Sequence, residues 1–322
     1  MKTTLSTLTL LYGTLFLAPK LLAQVTIEER GGKIIANVSG RPVIQYHAET
    51  ENPPPGVESV YARSGFIHPV YSPSGKVLTD AFPIGHVHQH AVFSAWTRAT
   101  FNHEVVDFWN QHKNLGTAEH KNVIGLTKNA FEVALQQISL KTGPAIDEHW
   151  RVSIQDSDDP FIIDIEIEQS CATNNEIYLH PYHYGGFGFR GSPHWSPEDK
   201  THYEGSMKVL TGDGIRDIKA SNHTTPRWVA VYGKITGKSA GLVIMDHPAN
   251  FRYPQPVRVH PKMPYFVFSP VVKGSFIIKP GLSYNARYRI ATFDGEPDPI
   301  ELERWYQDYL ESEFDFRAEE DK

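Results

Sequence analysis

Apolar and polar residues alternate along much of this chain with the period of a β-strand. Residues 161–168 (Phe-Ile-Ile-Asp-Ile-Glu-Ile-Glu) give the clearest case. Further strand-like runs are found at residues 130–140, 150–154, 228–232, 241–245, 265–268 and 275–278. Turn-forming clusters of Pro, Gly, Asn and Ser separate the runs, as at residues 52–56 and 72–76. Short strands at this spacing predict an all-β fold, a large antiparallel sandwich or barrel.

One helix is predicted, and it lies near the C-terminus. Asp298 is a suitable N-cap, and Pro299 fits the first helical position. Apolar side chains then recur at helical spacing, at Leu302, Trp305, Tyr306, Tyr309 and Leu310. We expect a helix over about 299–313 whose aromatic stripe packs on the sandwich.

The N-terminal pattern predicts export. Lys2 precedes an uncharged, Leu-rich stretch at residues 5–18, and the small residue Ala23 suits cleavage by a signal peptidase. The apolar stretch is too short for a comfortable transmembrane span. We therefore expect a signal peptide at residues 1–23 and a single β-supersandwich domain at residues 24–322, located in the periplasm or outside the cell.

Composition excludes several classes of partner. The chain has 322 residues, a formal net charge of -6 and no long run of Lys or Arg, so it has no basic patch for nucleic acid or an anionic membrane. It holds one cysteine, Cys171, so no internal disulfide is possible. The fold must depend on a large packed core.

The histidine run at residues 86–90 is the leading candidate for chemistry. In an extended segment His86, His88 and His90 would project to one face, because side chains alternate along a strand. One imidazole would act as general acid or base while the others bind substrate oxygens. The alternatives are a divalent metal site formed by the three histidines and a hydrogen-bonded structural cluster. Neighbouring same-face residues lie roughly 6.5–7 Å apart, so metal binding would need another ligand.

A second cluster of aromatic residues and histidines lies at residues 179–190. If this segment is extended, His180, Tyr182 and Tyr184 share one face, and the glycines after Tyr184 allow a ligand to approach the backbone. Arg190 offers a planar cationic fork for a carboxylate or an oxyanion. The alternative is a strand with packed tyrosines and a bulge.

Other candidate binding residues are scattered along the chain. They are Arg63, His68, Trp96, Trp109, His247 and Asn250. The sequence holds 16 His, 15 Tyr and 6 Trp, and these residue types bind sugars by ring stacking and hydroxyl hydrogen bonds. A carbohydrate partner is therefore expected.

Five segments in order resemble one family. They are residues 63–80, 86–96, 107–109 (Asp-Phe-Trp), 180–190 and 246–250 (Asp-His-Pro-Ala-Asn). Together they resemble the secreted family DUF6807, also labelled PmoA-like. The resemblance implies a galactose-mutarotase-like β-supersandwich, similar to that of aldose mutarotases and several polysaccharide lyases. Relatives typically read His-Pro-His-His/Gln-Arg-Gly where this chain has residues 86–91, so His90 replaces the usual Arg. An anionic substrate group would then be held by Arg63 or Arg190.

These observations predict a secreted carbohydrate-active enzyme of hydrolase or lyase type. His88 or His90 would exchange a proton, Tyr184 or His180 would serve the opposite role, and Trp96 and Trp109 would stack on the sugar. One alternative is a mutarotase-like epimerase in which Glu148 is the base. Another is a non-catalytic glycan-binding protein. The cofactor is undetermined, with a divalent metal as one option.

Overall fold

The computed structural model describes residues 24–312. The predicted signal peptide lies outside the described residues. The first ten strands are β1 (Val25–Arg30), β2 (Lys33–Val38), β3 (Arg41–His47), β4 (Phe66–Val70), β5 (Val92–Ala95), β6 (Ala99–Phe101), β7 (Glu104–Val106), β8 (Gly116–Leu126), β9 (Ala130–Ser139) and β10 (Gly143–Ile154). The next ten are β11 (Phe161–Cys171), β12 (Ile177–Leu179), β13 (Gly186–Arg190), β14 (Lys208–Thr211), β15 (Trp228–Ile235), β16 (Lys238–Asp246), β17 (Val257–Val259), β18 (Tyr265–Phe268), β19 (Phe276–Ile278) and β20 (Ser283–Asp294).

The strands form two large antiparallel sheets and one small sheet. The first sheet has the order β1-β2-β3-β4-β5-β13-β18-β17, and the second has the order β14-β15-β16-β20-β11-β10-β9-β8. The small sheet has the order β19-β12-β6-β7. The all-β antiparallel sandwich predicted from the alternation is confirmed. Within residues 24–312, no helix has the length and apolar character needed to cross a bilayer.

The core lies between the two large sheets. Strand β10 shows why its sequence suits this position, because Trp150, Val152 and Ile154 are buried while the intervening side chains are more exposed. One apolar cluster joins the two sheets; Phe187 of β13, for example, stacks on Tyr288 of β20 at 4.3 Å between ring centroids. Burial of this apolar area is the main stabilising contribution to the fold.

The predicted C-terminal helix is observed as α2 (Pro299–Glu311), after a single short turn of helix, α1 (Ile218–Ser221). Asp298 caps α2, since its side chain accepts a hydrogen bond from the Ile300 N–H at 2.9 Å. The apolar face of α2 joins a second cluster with β14, β15, β16 and β20 on the outer side of the second sheet. The helix therefore covers a sheet face opposite to the main core.

Candidate active site

A cavity of about 260 Å³ lies against the first sheet and brings the two predicted clusters together. It is lined by His86, His88, Gln89, Trp109, Asn110, His183, Tyr184, Arg258, His260, Met263 and Tyr265. Four imidazoles, two phenols and one guanidinium therefore face one small volume. Among residues 24–312, no Asp or Glu lines this cavity.

The register of three strands explains why these side chains share a face. Val267 of β18 is paired with Gly188 on one side and with Arg258 on the other. Directly paired residues project to the same side of a sheet, and so do residues two apart along a strand. Tyr265 therefore lies on the same face as Arg258. Phe268 lies on the opposite face, where its ring contacts Tyr288 in the core.

The histidine run is not an extended strand, so the predicted common face for its three imidazoles is wrong. Residues 84–88 form turns, and the Gln89 N–H donates to the His86 carbonyl at 3.0 Å. His86 and His88 reach the cavity, whereas His90 is fully buried beneath it. The Nε2–H of His90 donates to Gln111 Oε1 at 2.8 Å, because the amide of Gln111 is already oriented by its bond to the Ala62 carbonyl.

The metal hypothesis placed His86, His88 and His90 around one ion. The ring centroids of His86 and His88 are 5.9 Å apart, and His88 also lies 5.1 Å from the exposed His112. His90 instead packs among the rings of Phe66, Phe82 and Phe93. In the part of the chain described, no group of three or more His, Cys, Asp or Glu side chains has the arrangement of a metal site.

The Asp-Phe-Trp motif at residues 107–109 positions one wall of the cavity. The Asp107 carboxylate accepts the backbone N–H groups of Trp109 at 3.0 Å and Asn110 at 2.8 Å, and it also binds the ammonium of Lys113 at 2.7 Å. Asn110 is thereby fixed, and its Oδ1 accepts the hydroxyl of Tyr184 at 3.2 Å. Asp107 is a positioning residue for the phenol in the cavity.

Trp109 packs directly on Gly188. A Cβ atom at Gly188 would lie 2.7 Å from Trp109 Cη2 and 3.2 Å from Phe93 Cε1. The predicted role of the neighbouring glycines in ligand approach also changes, because a Cβ at Gly186 would meet the Phe268 carbonyl at 2.6 Å. The space beside these two glycines is occupied by protein atoms, namely the indole of Trp109 and the backbone of β18. A ligand was expected there.

Gly188→Ala is therefore expected to displace Trp109 from the cavity wall. Overpacking of this kind costs about 1–3 kcal/mol of unfolding free energy, measurable by urea denaturation, and tryptophan fluorescence would report the altered indole environment. Gly125→Ala is the matched control, since Gly125 also lies in a strand and a Cβ added there would have nothing within 4 Å. Equal stability of the two variants would contradict this interpretation.

Burial sets the protonation states in the cavity. It lowers the pKa of His88 to about 3, assisted by the neighbouring His112 and His86, and lowers the pKa of His260 to about 4. Burial also lowers the pKa of His183 and raises the pKa of Tyr184. At neutral pH these three imidazoles are unprotonated and able to accept a proton, while the phenol keeps its proton and is able to donate it.

Arg258, His260 and Tyr265 were not singled out from the sequence. They come from β17, β18 and the turn between them, and the loop holds no recognisable motif. The available signal is the alternation of residues 257–260 (Val-Arg-Val-His), which predicts a strand with Arg258 and His260 on one face. The guanidinium in the cavity is thus Arg258, where Arg63 or Arg190 was expected.

The two predicted arginines are buried elsewhere. Arg63 is fully buried, its guanidinium 5.1 Å from the centre of the Phe93 ring. Arg190 is paired with Tyr265 and does not line the cavity; it donates to Gln89 Oε1 at 3.0 Å and to Ser196 Oγ at 3.2 Å. Gln89 lines the cavity, so Arg190 supports its wall through Gln89.

Three predicted residues lie in places unsuited to the role assigned to them. Trp96 is buried in the core, and its Nε1–H donates to Gln169 Oε1 at 2.7 Å, so its ring is not available for stacking on a sugar. His180 follows β12 in the small sheet, and its Nε2 shares a hydrogen bond with Thr100 Oγ1 at 2.7 Å. His68 lines a different cavity of about 730 Å³ and bonds Thr79 through Nδ1 at 2.9 Å.

The remaining candidates, Tyr182, His247 and Asn250, do not line the cavity. Tyr182 packs on Tyr184, with the two ring centroids 4.9 Å apart. His247 instead packs against Tyr309 of α2, with ring centroids 5.3 Å apart. Asn250 ties the turn after β16 to β20, since its side chain bonds both the carbonyl and the N–H of Arg287.

Comparison with known proteins finds solved structures of low similarity and one matching family model. No curated protein matches the sequence significantly. Heparan sulfate lyase HepC from Pedobacter heparinus is similar in structure with 11% identity and a TM-score of 0.38, over 87% of this chain and 38% of the lyase. GH36 alpha-galactosidase AgaA from Geobacillus stearothermophilus has 10% identity and a TM-score of 0.37, over 84% and 41% of the two chains. The chain thus spans about two fifths of each of these enzymes.

A complete chain of similar size is also found among the solved structures. The GalM/aldose epimerase homologue from C. elegans has 9% identity and a TM-score of 0.35, over 86% of this chain and 100% of its own. In sequence, a family model described as a family of unknown function, DUF6807, matches residues 33–307. The match covers most of the chain and confirms the family expected from its motifs. The chain belongs to DUF6807.

Proposed function

We propose that this chain is an exported carbohydrate-active enzyme that cleaves or rearranges a bond at a sugar ring. The observation that carries the proposal is the meeting of unprotonated imidazoles and a protonated phenol in one small cavity. Its volume, about 260 Å³, lies just below the roughly 300–1,000 Å³ of pockets that enclose a drug-sized ligand. That size suits one sugar ring of a longer chain.

His88 is assigned as the general base and Tyr184 as the general acid. His88 lines the cavity and is neutral at neutral pH, and Tyr184 is oriented by its bond to Asn110. Trp109 supplies an aromatic wall for the sugar. A pair of carboxylates, the usual equipment of glycoside hydrolases, is missing among the described residues of the cavity wall. The lining therefore favours proton transfer between histidine and tyrosine.

Two alternative functions are a mutarotase-like epimerase and a non-catalytic glycan-binding protein. A mutarotase-like epimerase was expected to use Glu148 as base, but that carboxylate is buried between the sheets, bonded to Gln137 and Trp150. A non-catalytic glycan-binding protein would use the same aromatic and polar lining without turnover. To separate binding from catalysis, the purified chain is incubated with a panel of plant and algal glycans. Glycan binding and the formation of new chain ends are both measured. Binding with no product from any glycan would overturn the proposed activity.

The pH dependence of catalysis is expected to be flat in the neutral range. The pKa of His88 is about 3, so kcat/KM of the free enzyme should change by less than about twofold between pH 5 and pH 8. An ordinary histidine with a pKa near 6.5 would instead lose roughly thirtyfold in its unprotonated fraction by pH 5. A pH–rate profile at low substrate concentration tests this. An acid limb centred near pH 6.5 would reject His88 as the base.

A further inference from the structure

Three buried hydrogen-bond donors of the cavity have no acceptor among the described residues. They are Nε of Arg258, Nε1 of Trp109 and the hydroxyl of Tyr265, and all three residues line the cavity. The rings of Trp109 and Tyr265 are 6.0 Å apart. Buried donors are nearly always paired in native proteins, so three unpaired donors around one cavity indicate a missing acceptor. A ligand rich in acceptor oxygens would supply it.

Arg258 shows what kind of acceptor fits. Its Nη1 donates to Asn222 Oδ1 at 3.1 Å, which leaves the edge formed by Nε and Nη2 for a ligand. Arg258 forms no ion pair with any carboxylate of residues 24–312, and no carboxylate of these residues lines the cavity wall. Two parallel N–H groups on one guanidinium edge match the two oxygens of a carboxylate. The three donors therefore form a site for a carboxylate.

We infer that the cavity binds the carboxylate of a uronic acid residue through Arg258, and that the reaction at this site is β-elimination. This inference rests on the proposed function and names its substrate class. A carboxylate paired with Arg258 makes the hydrogen on the adjacent ring carbon, C5, more acidic, because the charge that develops on the carboxylate is stabilised. The chemistry then needs no carboxylate from the protein.

The step balances with the groups present. His88 takes the proton from C5, and the electron pair of that C–H bond forms the C4–C5 double bond. The bond between C4 and the glycosidic oxygen breaks, and the leaving oxygen receives the proton of the Tyr184 hydroxyl. The products are an unsaturated uronate and a new chain end, and solvent returns the two protons to their starting residues. Neither an oxidant nor water is consumed.

Binding of small probes tests the carboxylate site separately from catalysis. The wild-type chain is expected to bind methyl β-D-glucuronide about tenfold to hundredfold more tightly than methyl β-D-glucoside, as measured by calorimetry or ligand-observed NMR. Arg258→Met should abolish this ratio. Tyr265→Phe, which keeps the ring and removes one donor, should reduce it. Arg98→Met, at an exposed arginine outside the cavity wall, is the matched control and should leave it unchanged.

Each outcome has a separate meaning. Glucuronide preference that is lost in Arg258→Met, together with ultraviolet absorbance of an unsaturated product from uronate oligosaccharides, supports the inference. The same preference with no product from any glycan supports the carboxylate site but overturns elimination and the proposed enzyme function. If the wild-type chain cleaves neutral glycans and Arg258→Met retains this cleavage, the inference is overturned while the enzyme function stands. Stronger binding of glucose 6-sulfate than of the glucuronide would also overturn it.

Discussion

Replacing His88 with alanine, or Tyr184 with phenylalanine, is expected to lower kcat/KM by about 10²–10⁴-fold. His88 lines the cavity in its neutral form, and Tyr184 holds the proton that a leaving oxygen would need. Steady-state kinetics on the glycan found by the panel measures the loss. In Tyr184→Phe the ring remains between Trp109 and Tyr182, so the fold and the shape of the cavity should be preserved.

His180→Ala is the matched control for this prediction. The residue comes from the same sequence cluster as Tyr184, but its imidazole bonds Thr100 outside the cavity. It should retain near wild-type kcat/KM. Equal losses in His180→Ala and His88→Ala would show that the cavity is not the site of reaction. Circular dichroism of each variant separates a catalytic loss from unfolding.

The elements of this fold could be predicted because each strand carries its own pattern. Residues 150–154 and 161–168 alternate since one face of each strand enters the core, and β10 and β11 are found there. The helix was predictable from Asp298, Pro299 and the aromatic stripe, and its observed end at Glu311 differs by two residues from the expected one. Local signals of this kind do not depend on the rest of the molecule.

The candidate site was less predictable because it depends on turns and strand pairing. The His86–His90 run alternates like a strand, yet Phe82 and Ala91 beside it have positive φ angles of 56° and 55°, which fold the segment into turns. Arg258 enters the cavity because β17 pairs with β18 at the edge of the first sheet. The alternation of residues 257–260 predicts the strand but not its place in the sheet. Trp96 is a candidate for stacking on a sugar when only the sequence is considered. The adjacent residues in the sequence do not distinguish a core indole from an exposed one.

The interior of the sandwich gives the prediction with the largest expected effect on stability. Arg63 is fully buried, and its Nε and Nη1 have no hydrogen-bond partner among the described residues. Burial lowers its pKa to about 10, so it remains charged at neutral pH, and Glu148 is the main charge that opposes this shift. The Glu148 carboxylate accepts bonds from Gln137 at 2.7 Å and Trp150 at 2.5 Å. Arg63 and Glu148 thus interact electrostatically within the core without a direct ion pair, and burial raises the pKa of the Glu148 carboxyl.

Glu148→Gln is therefore expected to cost about 3–5 kcal/mol of unfolding free energy, because it leaves the charge of Arg63 buried without a counter-charge. Urea denaturation at pH 7 measures the loss, and Asp147→Asn, one residue away on the exposed face of β10, should change it by less than about 0.5 kcal/mol. The double variant Arg63→Met/Glu148→Gln should be more stable than Glu148→Gln alone, since no uncompensated charge remains. The cost of Arg63→Met alone is measured in the same way. If the costs of Arg63→Met and Glu148→Gln simply added in the double variant, the two charges would not be coupled, and Arg63 would need another counter-charge within the core.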